Sequence, residues 1–179
     1  MTADADAVSI RSLSGEEAHA RSGALCDVLM DCVEGGASVG FMSPLSQGRA
    51  QTFWRLVADD VAAGRRKLLV AEDATKGLLG TVHLVLAQPD NQGHRADVSK
   101  MLVHRSARRR GIGAALMLEV EGAARALGKT LLVLDTVTGS DGERLYGRLG
   151  WTKVGVIPDF ALWPDGRPCA TTYFYETLA

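Results

Sequence analysis

The spacing of apolar residues switches repeatedly between strand-like and helix-like repeats, and the switches outline a fold. VSIRSL (8–13) has strand character. Ser14 then stands three residues before Glu17, the spacing of a capping box, and predicts a helix start. Leu25, Val28, Leu29, Cys32 and Val33 give that helix an apolar stripe, and Gly35-Gly36 ends it. After a glycine-rich loop (35–44), a second helix is predicted over about 46–63, with Phe53, Trp54, Val57 and Val61 inward and Gly64 as its stop. KLLVAED (67–73) and GLLGTVHLVLAQ (77–88) read as a hairpin, with the RRK run (65–67) as its solvated entrance.

RADVSKMLVH (95–104) reads as the next strand. Ile112, Leu116, Val120, Ala123 and Leu127 recur at helical spacing before Gly128, and TLLVLDT (130–136) has the composition of a buried strand. This strand–helix–strand crossover implies a parallel pair. Ser140 and Glu143 repeat the capping spacing ahead of a short helix bearing Leu145, Tyr146 and Leu149. WTKVGVI (151–157) and TTYFYETL (171–178) are the last predicted strands. No repeat, linker or low-complexity tract interrupts the pattern, so residues 1–179 read as one α/β domain.

Composition removes several functions. The 179 residues carry a formal net charge of -1, which gives no global attraction to nucleic acid or to an anionic membrane. No apolar stretch approaches the ~18 residues of a membrane span. Three cysteines (Cys26, Cys32, Cys169) without metal-ligand spacing argue against a disulfide framework or a bound metal, and favour a reducing, cytoplasmic setting. The acidic N-terminus, MTADADAVSIRS, lacks the apolar core of a signal peptide.

Against that neutral background, HRSARRRGIGAAL (104–116) needs a local explanation. Gly111-x-Gly113 followed by Asp135 imitates a dinucleotide turn, but Leu116 occupies the third glycine position and an arginine-rich spacer separates turn from strand. Gly128-Lys129-Thr130 imitates the end of a phosphate-binding loop, yet it closes a helix instead of opening one. What remains is Arg108-x-x-Gly111-x-Gly113 between a strand and an amphipathic helix. Glycine lets backbone N–H groups approach a ligand, the first helical turn offers unsatisfied N–H groups, and arginines add charge. The predicted ligand is a pyrophosphate-bearing cofactor.

These residues resemble the acyl-CoA signature of the GNAT N-acetyltransferase superfamily. ERLYGRLGW (143–151) resembles that superfamily's second signature. GGASVGFM (35–42), RADVSKMLV (95–103), LDTVTGS (134–140) and PDGR (164–167) are similar to its tabtoxin-resistance members, which acetylate a β-lactam amino-acid toxin; those have Glu where this chain has Asp97. The resemblance implies a GNAT fold: a mixed sheet of about six to seven strands, its parallel fourth and fifth strands splayed, with about four helices. It implies acetyl-CoA as cosubstrate, held by Met101, Leu102 and Val103 through backbone pairing and by Arg108, Arg109, Arg110, Gly111, Ile112, Gly113 and Ala114 around its phosphates.

It further implies Tyr146 as the acid that protonates the leaving thiolate; a phenol near pKa 10 and a thiol near 8.5 are matched well enough to share a proton. The alternative is a core tyrosine. Asp97 and Asp135 are candidate bases, or carboxylates that hold the acceptor's ammonium; the alternative is a pair of strand-end carboxylates bound to Arg or a loop. His94 is a weaker candidate. Phe41 and Met42 are expected to wall the acceptor pocket, together with Asp97 and Asp135. The implied activity is transfer of acetyl to the primary amine of a small, amino-acid-like or toxin- or antibiotic-like acceptor by direct attack in a ternary complex, by a monomer or homodimer. Acetylation of a protein N-terminus or lysine, and a non-catalytic acyl-CoA sensor, are the alternatives. Neither metal, membrane nor nucleic acid is expected as a partner.

Overall fold

The computed structural model of the protein describes residues 8–178. In chain order the elements are β1 (Val8–Leu13), α1 (Gly15–Ala20), α2 (Ser22–Glu34), α3 (Gln47–Ala62), β2 (Arg66–Asp73), β3 (Gly77–Val85), β4 (Arg95–Val103), α4 (Ile112–Ala126), β5 (Leu131–Val137), α5 (Asp141–Arg148), β6 (Thr152–Leu162) and β7 (Pro168–Thr177). The seven strands form one sheet in the order β1-β2-β3-β4-β5-β7-β6. Only β4 and β5 pair in parallel, as the crossover through α4 requires.

The first four helical residues of α1 are capped as the sequence predicts: Ser14 Oγ accepts from Glu17 N, and Glu17 returns a bond to Ser14 N. The expected single N-terminal helix is nevertheless two, so five α-helices flank the sheet instead of about four. Neither Gly nor Pro marks the break at Arg21. Tertiary contacts do: Gly15 docks so tightly on α3 that a Cβ there would lie 2.7 Å from Ala62 Cβ, and Arg21 pairs with Glu72 on β2. Leu127, expected inward, caps α4 at 43% exposure, and Ala124 takes the buried position.

The sheet separates two cores. Leu25, Leu29, Val33, Trp54 and Val57 of the N-terminal helices pack on one face against Leu68, Val70 and Leu102. On the other, Leu116, Met117 and Val120 of α4 and Tyr146 of α5 pack against Leu84, Leu132, Leu134 and Phe174. Full burial of each such aliphatic side chain stabilises the fold by about 1.5–3 kcal/mol. Trp54 is a core residue as expected; Trp151 is buried as well, and its Nε1 donates to the buried Glu121 carboxylate at 3.0 Å.

Two local features open the sheet at its centre. Parallel pairing stops at Asp97↔Val133, although β4 runs on to Val103 and β5 to Val137. Within β4 the register to β3 passes from Leu102↔Thr81 to Ser99↔His83, so β4 carries one extra residue there. Lys100 sits in this bulge with φ +49, and Thr81 Oγ1 pins it by donating to the Lys100 carbonyl at 2.9 Å. The bulge exchanges faces along the strand: Ala96 and Val98 belong to the α4 core, whereas Leu102 belongs to the opposite one.

Candidate active site

A cavity of about 830 Å³ occupies the gap between β4 and β5. Met101, Leu102 and Val103 line it from β4, Thr136 and Val137 from β5, and Tyr146 from α5. The turn into α4 supplies Arg108, Arg109, Gly111, Ile112, Gly113 and Ala114. The sequence-predicted cofactor residues therefore gather around one space, with one exception.

That exception is Arg110. Its guanidinium turns away to the buried Asp73 carboxylate, with Nη2 at 3.5 Å from Oδ2. Thr75 and Lys76 donate to the same carboxylate, and these bonds hold Asp73 well below the usual carboxylate range. Arg105 is also structural: its backbone N–H and its Nε bind Asp31 of α2 at 2.7 and 2.8 Å. Of the four arginines in the run, two anchor the turn to α2 and β2, and two, Arg108 and Arg109, line the cavity.

The glycines also have separate duties. Gly111 is the N-cap of α4 with φ +77, a left-handed conformation that favours glycine, and a Cβ there would meet no protein atom within 4 Å. Gly113 is closely packed, since a Cβ would lie 3.1 Å from Leu145 Cδ2 and that side chain would have to give by a few tenths of an ångström. Arg109, two residues before Gly111, is left-handed as well, with φ +61. A non-glycine residue in that region costs about 1–3 kcal/mol and is kept where surroundings or function demand it. The first intrahelical bond runs from Ala115 N to Gly111 O, so the N–H groups of Ile112, Gly113 and Ala114 have no acceptor within α4. Donor groups, two guanidinium groups and the positive helix end together fit a pyrophosphate.

Tyr146 is 6% exposed and its hydroxyl makes no hydrogen bond to any described residue. Burial first, and the Asp135 carboxylate second, push its phenol above the ordinary value, so it is protonated at neutral pH but is a weaker acid, less closely matched to a thiol than the sequence expectation assumed. Cys32 is the single cysteine lining the cavity. Burial pushes its thiol up against an opposing effect of Arg108, and its Sγ lies 3.5 Å from the Val103 carbonyl. A protonated thiol is a weak nucleophile.

The expected acceptor residues are less concentrated. Asp97 and Asp135 do not line the cavity. Asp97 is engaged by Arg95 and accepts from Gln88 Nε2 at 3.0 Å, whereas Asp135 is exposed and accepts from Thr171 Oγ1 at 3.0 Å. Both carboxylates act on the phenol of Tyr173, whose proton affinity is raised by burial, then Asp135, then Asp97. Phe41 and Met42 also lie outside the cavity lining: Phe41 packs edge-on against Phe53 at 5.2 Å, and Met42 is 39% exposed. His94 is an exposed loop residue.

Several lining residues had no place in the sequence reading. Arg144 and Arg148 lie one turn apart on α5 and both line the cavity; their i, i+4 spacing was the available signal. Trp163 was likewise unread, whereas Gly36, Ala37, Ser38 and Val39, which also line the cavity, belong to the loop 36–42 expected beside the acceptor pocket. Ser38 Oγ donates to the Leu162 carbonyl at 2.6 Å and Ser43 N to the Pro164 carbonyl at 3.0 Å, so loop 35–44 is strapped to the β6–β7 turn. No group of His, Cys, Asp and Glu among the described residues could hold a metal ion, and no helix among them is long and apolar enough to cross a membrane.

The acetyltransferase (GNAT) domain family matches residues 64–153, half of the chain and the portion that supplies most of the cavity lining. The chain belongs to the GNAT acetyltransferase superfamily. Its activity is that of an acetyl-CoA-dependent N-acetyltransferase. The fold is shared with solved GNAT proteins at low identity. A GNAT phosphinothricin acetyltransferase from Sinorhizobium meliloti, in complex with acetyl-CoA, is 18% identical over 96% of this chain and 89% of its own, with a TM-score of 0.80. A GCN5-related N-acetyltransferase from Kribbella flavida is 22% identical over 96% and 98%, with a TM-score of 0.78. A ribosomal-protein-alanine N-acetyltransferase from Brucella melitensis is 20% identical over 95% and 99%, also with a TM-score of 0.78.

Proposed function

We propose that this GNAT enzyme acetylates the primary amine of a small acceptor, amino-acid-like or toxin- or antibiotic-like, by direct attack on acetyl-CoA in a ternary complex. The observation that carries the small acceptor is the strap of Ser38 and Ser43 onto the β6–β7 turn. It sets loop 36–39 and Trp163 against the cavity as a wall, where a protein acceptor needs an open groove. The tabtoxin-resistance motifs and the likeness to a phosphinothricin acetyltransferase agree with a small acceptor; the likeness to a ribosomal-protein-alanine acetyltransferase shows that the fold alone does not choose.

In this reading the α4 N-terminus, Arg108 and Arg109 hold the phosphates, and backbone groups of Met101–Val103 pair with the pantetheine arm. Acetyl-CoA supplies an acyl group activated as a thioester. A backbone N–H near Met101 or Leu102 steadies the carbonyl oxygen. The neutral amine forms the new C–N bond, the C–S bond breaks, and Tyr146 gives its proton to the departing sulfur. The amine's surplus proton leaves through water toward Asp135, with Asp97, neutralised by Arg95, as a positioning carboxylate. Burial disfavours the Cys32 thiolate, which argues against Cys32 as an acyl carrier.

The test is incubation with acetyl-CoA and a panel of small amines and peptides, following free thiol and identifying products by mass. Acetylation of small amines is expected; turnover of peptides only would overturn the reading.

A further inference from the structure

Beside the cavity, between α3 and the sheet, lies a cluster of hydrogen-bond donors that the mechanism above does not use. Lys100 projects from the β4 bulge, immediately before Met101–Val103. Its ammonium lies over the Phe53 ring at 5.7 Å from the centroid, beneath Gly40, where a Cβ would be 3.7 Å from Nζ. It makes no hydrogen bond or ion pair to any described residue. Phe53 stacks on His83 at 6.2 Å and 11°, Trp54 meets the same imidazole edge-on at 5.4 Å, and Phe41 closes the cluster against Phe53.

His83 is fully buried on β3, and Arg66 Nη1 lies 2.8 Å from its Nδ1. Arginine can only donate, so Nδ1 accepts and the ring proton is on Nε2. That Nε2–H, Trp54 Nε1–H and Arg66 Nε–H are all buried without an acceptor among the described residues. Sequence reading placed Arg66 in a solvated strand entrance; instead its guanidinium reaches His83 and Asp60.

An ammonium with no ion-pair partner, beside three buried donors without acceptors among the described residues, makes a setting that favours an anion. The charge of Asp135 opposes the effect of burial and of Arg66 on the Lys100 ammonium. A small zwitterion can therefore engage both residues, its ammonium toward Asp135 and its acid group toward Lys100.

We propose that Lys100 forms, with the aromatic cluster of Phe41, Phe53 and Trp54, a subsite for a carboxylate on the acceptor, so that the preferred substrates are amino acids and their analogues and not simple amines. This rests on the small-amine reading above. It gives β4 two adjoining tasks: the bulge presents Lys100 to the acceptor's acid group, and the next three residues face the cofactor.

The experiment compares kcat/KM for matched acceptors, free amino acids against their carboxamides, in wild type, Lys100→Met and Lys100→Arg, with CoA affinity and melting temperature measured in parallel. The wild type is expected to prefer the free acid by about tenfold or more, equivalent to 1.4 kcal/mol. Lys100→Met should abolish that preference by losing kcat/KM on free acids about tenfold more than on carboxamides, and Lys100→Arg should restore part of it. Equal use of acids and carboxamides by the wild type overturns the subsite but leaves the acetyltransferase reading standing. Parallel loss of both classes in Lys100→Met, with normal folding and CoA affinity, assigns Lys100 to proton transfer and also overturns it. If no small amine is acetylated, the reading and the subsite fall together. Should Lys100→Met not fold, the wild-type preference and the Lys100→Arg ratio decide.

Discussion

Replacing Gly111 by alanine separates backbone strain from ligand recognition, because Gly64 provides a matched control. Gly111 has φ +77 and Gly64 has φ +71, and a Cβ at either position meets no protein atom within 4 Å. Gly64 follows α3 and does not line the cavity, whereas Gly111 does. Both substitutions therefore carry the same cost of a non-glycine residue in the left-handed region, about 1–2 kcal/mol. For a chain of this size that corresponds to a fall in Tm of roughly 2–8 °C in each variant. Only at Gly111 does the added methyl project where the phosphates are held and displace the close approach of the N–H groups of Ile112, Gly113 and Ala114. The loss of even one charge-assisted bond there is about 1.5–3 kcal/mol, or ten- to more than a hundredfold in Kd. Calorimetric titration with CoA at fixed ionic strength reads that difference. Gly64→Ala should bind as the wild type, and Gly111→Ala at least tenfold more weakly. Equal CoA affinities in both variants, with equal losses of stability, would refute the assignment of the turn as the phosphate cradle.

Tyr146→Phe should lower kcat by about a hundredfold, in the range of a lost general acid, while CoA affinity and Tm stay near wild type because the hydroxyl bonds no described residue; steady-state kinetics with calorimetry checks this. Arg108→Ala and Arg109→Ala should each weaken CoA binding and flatten its salt dependence, whereas Arg110→Ala should leave binding intact and lower Tm by unpairing Asp73. Lys100→Met should raise Tm at neutral pH, since burial and Arg66 depress the ammonium's pKa below its ordinary 10.5. Between that lowered value and 10.5 the unfolded chain binds more protons than the folded one, so wild-type stability recovers and the variant's advantage shrinks; melting curves from pH 7 to 10.5 follow it.

Local signals carried most of the architecture into the sequence. The capping box at Ser14, the N-cap at Ser140, the period of Ile112, Leu116 and Val120, and the strand–helix–strand order give the helix starts, β4, α4 and β5 and hence the parallel pairing. The break at Arg21 was not legible because it follows from Gly15 seated on α3 and from Arg21 reaching Glu72, contacts about 40–50 residues apart in sequence. The cradle was legible as a motif, yet HRSARRRG does not say which arginine faces which way; Asp31 and Asp73, distant in sequence, claim Arg105 and Arg110. The acceptor side was least legible. Phe41 is drawn onto Phe53, and the strap from Ser38 to Leu162 joins positions 124 apart. Lys100 left a readable trace all the same: strict alternation from Ala96 and Val98 would bury a lysine in the α4 core, and the bulge is the structural answer to that conflict.

The central claim is that the gap between β4 and β5 holds acetyl-CoA with its phosphates on the turn into α4. A crystal structure of the complex with CoA tests it most directly. Pyrophosphate oxygens are expected within hydrogen-bond distance of the N–H groups of Ile112, Gly113 and Ala114, with Arg108 and Arg109 beside them, the thiol near Tyr146, and Arg110 still on Asp73. Phosphates bound instead at Arg105 and Arg110, or a CoA chain lying outside the gap, would contradict it.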